Sequence, residues 1–188
     1  MILKEHSELD GKHAFLSGSK YHWINYDDDR LIEAYLNYKA IQKGIILHDF
    51  ARRCIDLNQK LPRSHQTLNA YVNDAIGFHM SPERHIYYSD YCFGTADAIS
   101  CDGKILRIHD LKTGKTPAHM EQLEVYAAMF CLEHKLDPKN IRPILLIYQS
   151  DDINEFVPSA DDIREIANTI VRFNKLLTHI DKTDELVL

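Results

Sequence analysis

Three residues in the middle of the chain could do acid–base or metal chemistry together: Asp97, Asp110 and Lys112. Between the two acids runs Ser100-Cys101-Asp102-Gly103-Lys104. An Asp-Gly pair flanked by apolar and β-branched residues is the strongest short-range signal for a β-hairpin, so Asp97 and Asp110 are expected on neighbouring antiparallel strands. Asp110 and Lys112, two apart in an extended chain, project to one face while Leu111 points into the core. Two carboxylates and one ammonium then share a small patch. Asp is depleted in strands and unpaired buried charge is costly. A divalent cation would give such a patch a purpose: Mg²⁺ takes carboxylate oxygens and retained waters, and Mn²⁺ also tolerates an imidazole. The lysine could orient or deprotonate a bound water, or neutralise charge on a phosphoryl group. Taken alone, Asp-x-Lys is more often a surface cross-strand pair, and the surrounding residues change that balance.

The elements that must position this patch can be read from the pattern. An opening loop or short strand, 13–23, packs by Phe15 and Trp23 and offers Ser17 or Ser19 as a helix cap. Helical spacing begins at Asp27-Asp28-Asp29 and runs through Leu31, Ala34, Tyr35, Tyr38 and Ile41, with Gly44 as an interruption. A second helix then runs from Ile45 to about Leu57, with His48 on the face of Ala51, Arg52 and Ile55. A third covers 64–76 after Pro62. Strand-like segments follow at 86–88 and 91–93. The clearest helix, 118–134, is rich in Ala, Leu, Met, Glu and Gln and free of Gly and Pro. The apolar run 144–148 reads as a central strand buried on both faces, and Ser159-Ala160-Asp161-Asp162 caps a last helix to about His179. This order predicts the α/β class, a mixed β-sheet flanked by helices. It also predicts a single domain over 1–188, in which residues 1–80 are helical and residues 81–188 form the sheet core.

Composition narrows the function classes. With 188 residues, 45% hydrophobic and 27% charged, the chain is long enough for a core without staples. It has no apolar run of membrane-spanning length, and its start, Met-Ile-Leu-Lys-Glu-His, lacks the basic and apolar regions of a signal peptide. A cytoplasmic protein without membrane attachment is the expectation. Cys54, Cys92, Cys101 and Cys131 are scattered singly, which disfavours zinc or iron–sulfur sites and suits reduced thiols. A net charge of −6 argues against bulk electrostatic binding of nucleic acid, though not against an enzyme whose carboxylates bind cations.

Several other residues have two readings. Gln122 and Tyr126, at i and i+4 after the lysine strand, share a helix face and could bond a phosphate or steady the lysine, or simply pack at the core rim. Tyr87 and Tyr88 could stack bases or pack inside. Gly114-Lys115-Thr116 is not a phosphate loop, because the required upstream glycine position is His109. Signatures of proteases and esterases are missing.

In order, Gly44-x-x-x-His48, Gly94-x-x-Asp97, Asp110-x-Lys112-Thr113-Gly114 and Gln122-x-x-x-Tyr126 resemble the motif series of RecB-like nucleases of the PD-(D/E)XK superfamily. The likeness covers roughly 44–126 and implies a restriction-endonuclease-like sheet. It implies Mg²⁺ or Mn²⁺ on His48, Asp97, Asp110 and the backbone carbonyl of Leu111. Asp97, Asp110 and Lys112 would be the catalytic set, and Gln122 and Tyr126 would order the site and contact the strand. Ala96 stands where many relatives have proline, and Asp110 where many have Glu. Arg52 occupies the place of a glutamate found in some, leaving Glu83 as the upstream acid that could join the site. The implied activity is a metal-dependent deoxyribonuclease, most simply an exonuclease in phage or recombination DNA processing, acting in the bacterial host cytoplasm if phage-encoded. Its partner would be single- or double-stranded DNA, with a separate helicase or recombination protein and a homo-oligomer both conceivable. A catalytically idle adaptor or inhibitor that docks on a DNA-processing protein, and an RNA nuclease, are the alternatives.

Overall fold

A computed structural model describes residues 4–184; the first three residues, which belong to the stretch read against a signal peptide, lie outside the described residues. The chain divides into two compact units, Met1–Ile45 and Ile46–Leu188. Within the first, short 3₁₀ turns cover Ser7–Leu9 and Gly18–Asn25. Phe15 packs against Tyr35 and Tyr38, with ring centroids 5.1 and 5.4 Å away. The Trp23 indole donates to the Ser17 carbonyl at 2.9 Å. Neither serine caps a helix through its hydroxyl: Ser17 and Ser19 bond one another at 2.7 Å. The cap of α1 (Asp28–Asp56) is Asp27, whose carboxylate accepts from the Arg30 N–H at 2.8 Å.

The break expected at Gly44 does not occur, since α1 is continuous. Glycine costs a helix interior about 1 kcal/mol but keeps its N–H, so flanking helix formers carry the turn through.

In the second unit, α2 (Thr67–Gly77) precedes a five-stranded sheet in the order β1-β2-β3-β4-β5. Strands β1 (Ser81–Ser89), β2 (Cys92–Asp102) and β3 (Ile105–Lys112) form an antiparallel meander. The Asp-Gly hairpin is present, with Gly103 at φ +57° in the turn. Helix α3 (Glu121–Glu133) then crosses over to β4 (Arg142–Gln149), which lies parallel to β3. This is the helix-flanked mixed α/β sheet expected from the sequence. It also contains β5 (Asp152–Phe156), an antiparallel edge strand that the sequence did not signal. All five residues of β5 are exposed, so no apolar alternation marks them, and the turn is made by Ser150 and Asp151 at φ +52° and +61° without a glycine.

Helix α4 (Ala160–Asp184) starts from a reciprocal cap: the Ser159 N–H donates to the Asp162 carboxylate at 2.9 Å, and the Asp162 N–H to the Ser159 hydroxyl at 3.2 Å. One core lies between the sheet and α3 with α4, around Ile86, Leu106, Ile108, Leu123, Leu145 and Ile163. The other lies between the sheet and α2 with the last turns of α1, around Ala51, Ile55, Tyr71, Val72, Leu111 and Tyr148. β4 contributes to both, as its apolar run requires. All four cysteines are free thiols. Among the described residues, no helix is long and apolar enough to cross a membrane.

One polar network crosses the second core. The Tyr148 hydroxyl donates to Asp74 at 2.8 Å and lies 3.2 Å from His109 Nδ1, so the ring's proton belongs on Nδ1. His109 is fully buried, edge-on to Phe78 at 6.0 Å, and its Nε2 has no hydrogen-bond partner. Burial, with a smaller push from the Arg107 charge, lowers its pKa to about 4. A ring held neutral in the fold stabilises it fully above pH 6.5, and that contribution disappears as the pH falls toward about 4. Acidification across this window is expected to cost about 3 kcal/mol through this ring. The check is a series of thermal melts in EDTA, in which His109→Gln should flatten the limb between pH 6.5 and 4; an equally steep limb would assign the loss to other groups.

Candidate active site

The meander sets the acid pair. Strands β2 and β3 pair from Asp102 with Ile105 as far as Ala98 with His109, and the regular ladder ends there, one residue short of Asp97 and Asp110. There the ladder is completed by a side chain: the Leu111 N–H donates to Asp97 Oδ2 at 2.9 Å. Leu111 thus meets Asp97 through its amide, while its side chain lies in the core.

His48 arrives from α1, its Nδ1 3.5 Å from the same Asp97 oxygen. That separation is long for a hydrogen bond. It is close to the spacing of roughly 3 Å between adjacent ligands of an octahedral cation with bonds of about 2.1 Å. Burial first, and the Asp110 charge second, raise the Asp97 pKa, against the lowering influence of His48, the Leu111 N–H and Lys112. The phenol of Tyr71 is raised by burial and then by the charges of Asp97, Asp110 and Glu83, which marks a core residue beside the acids that no motif announced.

On the α3 side of the sheet, Asp110 is only 4% exposed. The Lys112 ammonium stands 3.0 Å from both of its oxygens but is aligned to donate only to Oδ1. Asp110 Oδ2 is therefore buried with no hydrogen bond. Lys112 also donates to Gln122 Oε1 at 3.0 Å, and Gln122 Nε2 reaches the Tyr126 hydroxyl at 3.4 Å. The i, i+4 spacing on α3 does what helical geometry requires, stacking amide and phenol on one face. Gly94 completes the bracket: a Cβ there would lie 2.8 Å from Tyr126 Cε1, so the ring occupies space that only glycine leaves open.

His48, Asp97, Asp110, Leu111, Lys112, Gln122 and Tyr126 are thus held together as two adjoining groups, His48–Asp97–Leu111 and Asp110–Lys112–Gln122–Tyr126. Among the described residues, no three His, Cys, Asp or Glu side chains converge closely enough to form a ready-made cage for an ion.

No family model matches the sequence, and no curated protein matches it. A solved structure titled "Crystal structure of SSO0001" is similar with a TM-score of 0.28 and 15% identity, over 76% of this chain and 86% of that one. So weak a likeness carries no argument.

The donor types present, carboxylate and imidazole, are those a hard cation takes, although among the described residues they do not converge into a cage. The pair of acids is charge-crowded, one buried carboxylate oxygen is unsatisfied, and an imidazole nitrogen stands at ligand spacing. Glu83 is paired with Arg52, whose Nε lies 3.6 Å from its carboxylate while its other nitrogens bind Asp49 and Asp56. Gln149 is a supporting residue that sequence reasoning missed. Its amide donates to the Gly114 and Thr116 carbonyls, both at 2.7 Å, and accepts from the Ala118 N–H at 3.1 Å. It ties down the loop between Lys112 and α3, and nothing at position 149 in the sequence signals that work.

Proposed function

We propose that this protein is a metal-dependent nuclease that hydrolyses phosphodiester bonds in DNA, with Mg²⁺ or Mn²⁺ as its cofactor and exonucleolytic trimming as its mode. The observation that carries the reading is the Lys112 ammonium, held between buried Asp110 and the Gln122 amide beside a second carboxylate. A salt-bridge partner alone would not need the amide, the phenol and the glycine that makes room for it. Asp97, Asp110 and His48 would hold the cation, with the Leu111 carbonyl as a further oxygen. When bound, such an ion supplies Lewis-acid polarisation of the phosphoryl oxygen and lowers the pKa of a water.

The remaining work falls to side chains of this chain. Lys112 orients the attacking water and offsets charge growing on the phosphoryl oxygens. Gln122 fixes the ammonium, and Tyr126 fixes Gln122. Gln122 is exposed on α3, where a strand backbone can reach it, and the half-buried Tyr126 packs against the core behind it.

The test is incubation with end-labelled linear and circular DNA, single- and double-stranded, in Mn²⁺ and in EDTA, beside calorimetry with Mn²⁺. Mn²⁺ binding and loss of linear DNA in Mn²⁺ alone are expected. Cleavage confined to RNA would move the substrate to the other sugar. Failure to bind Mn²⁺ and to cut any of these would favour the idle adaptor or inhibitor.

A further inference from the structure

The outer surface of the β1–β2 hairpin carries an aromatic pair that the site above does not use. Strand pairing sets Tyr87 opposite Phe93 and His85 opposite Thr95. The alternate residues of these strands, Ile86, Gly94 and Ala96, turn toward α3. Tyr87 and Phe93 therefore lie on the other face, the one on which α2 and the last turns of α1 pack. They are 50% and 67% exposed, yet stacked on each other with centroids 6.4 Å apart and planes 26° apart. A bond from the Tyr87 hydroxyl to Asp90 at 2.8 Å fixes one ring. Next toward the acids comes a polar step, His85 Nδ1 to Thr95 Oγ1 at 2.8 Å, also exposed. Two residues further along β2 is Asp97, paired with His48 of α1 on this same side of the sheet.

We propose that Tyr87 and Phe93 form a base-stacking platform that receives single-stranded nucleic acid and leads it past His85 and Thr95 to Asp97. This rests on the nuclease reading and deepens it by naming the substrate form. Phe93 and Asp97 are about 13 Å apart along an extended strand, a stride of roughly two to four nucleotides. A net charge of −6 gives phosphates no bulk attraction, so the grip must come from the bases. Flat, exposed, pre-stacked rings supply that grip without regard to sequence. Duplex DNA, with its bases already stacked on each other, offers this pair nothing.

The experiment measures binding of a 20-nucleotide single strand carrying 2-aminopurine, in EDTA so that no cleavage intervenes. Phe93→Ala is expected to weaken binding about tenfold and to abolish quenching of the 2-aminopurine. Phe93→Trp should restore both, and the affinity should fall only shallowly with salt. An abasic strand should bind wild type and Phe93→Ala equally. Unchanged affinity in Phe93→Ala, or an equal loss on the abasic strand, would overturn the platform while leaving metal-dependent cleavage untouched. A wild-type protein that binds no single strand yet cuts duplex in Mn²⁺ would do the same, and one that neither binds nor cuts any nucleic acid would remove both readings.

Discussion

Replacing Asp110 with alanine is expected to lower Mn²⁺-dependent cleavage by about 10³-fold or more, with the melting temperature of the metal-free protein unchanged or slightly raised. The two halves of this outcome have different causes. Activity is lost because the carboxylate with the unsatisfied buried oxygen is gone, and Lys112 with it loses the partner that aims it. Stability is kept because Asp110 is one of the charges that push the Asp97 pKa up, so its removal relieves crowding. The stranded Lys112 is 32% exposed and can extend its ammonium to water. Cleavage assays beside calorimetric melts in EDTA check both. Full metal-dependent activity in Asp110→Ala would mean that the assignment of this site is wrong, and a collapse of the fold would mean that Asp110 serves structure first.

A second large effect is expected at a residue with no functional group. Gly94→Ala places a methyl 2.8 Å from Tyr126 Cε1 and 3.4 Å from its hydroxyl oxygen, so the ring must move. Tyr126 bonds Gln122 and Gln122 bonds Lys112, so the displacement reaches the ammonium. Misplacing a reacting group by about 1 Å can cost 10²-fold in rate, which is the loss expected here, with about 1–3 kcal/mol of overpacking. Mn²⁺ affinity should stay within a few-fold, because His48 and Asp97 lie outside the bracket and Asp110 meets it only through Lys112. Adding Tyr126→Leu to Gly94→Ala should recover stability but not cleavage. Wild-type rates in Gly94→Ala would show that the bracket does not position Lys112.

What could be read from residues alone was set by local geometry. The Asp102-Gly103 turn, the two-residue stride from Asp110 to Lys112, the four-residue stride from Gln122 to Tyr126 and the Ser159–Asp162 cap each depend on a few neighbouring residues, and all four are present. Where tertiary context decides, the sequence was silent or misleading. Gly44 looked like a stop because its cost is visible and the helix around it that absorbs the cost is not. β5 was invisible because an edge strand with every residue exposed carries no burial pattern. The ring of His109 and the phenol of Tyr148 meet only because parallel strands bring them side by side. Phe93 does not stand out beside Tyr87 and Tyr88 in the sequence, since only the register of β1 on β2 shows that it stacks on the first while the second is half-buried.

The groups of this site lie at very different spans along the chain, and that bears on the order in which it assembles. Lys112 and Gln122 are ten residues apart, and Asp97 and Leu111 fourteen. Their contacts close small loops and can form as soon as one hairpin and one helix do. The imidazole of His48 comes from about fifty residues upstream and must wait for a long-range docking step. During refolding, the lysine and its acid should therefore be in register before the imidazole arrives, and a chain released from denaturant should regain the His48–Asp97 contact later than its strand and helix signals.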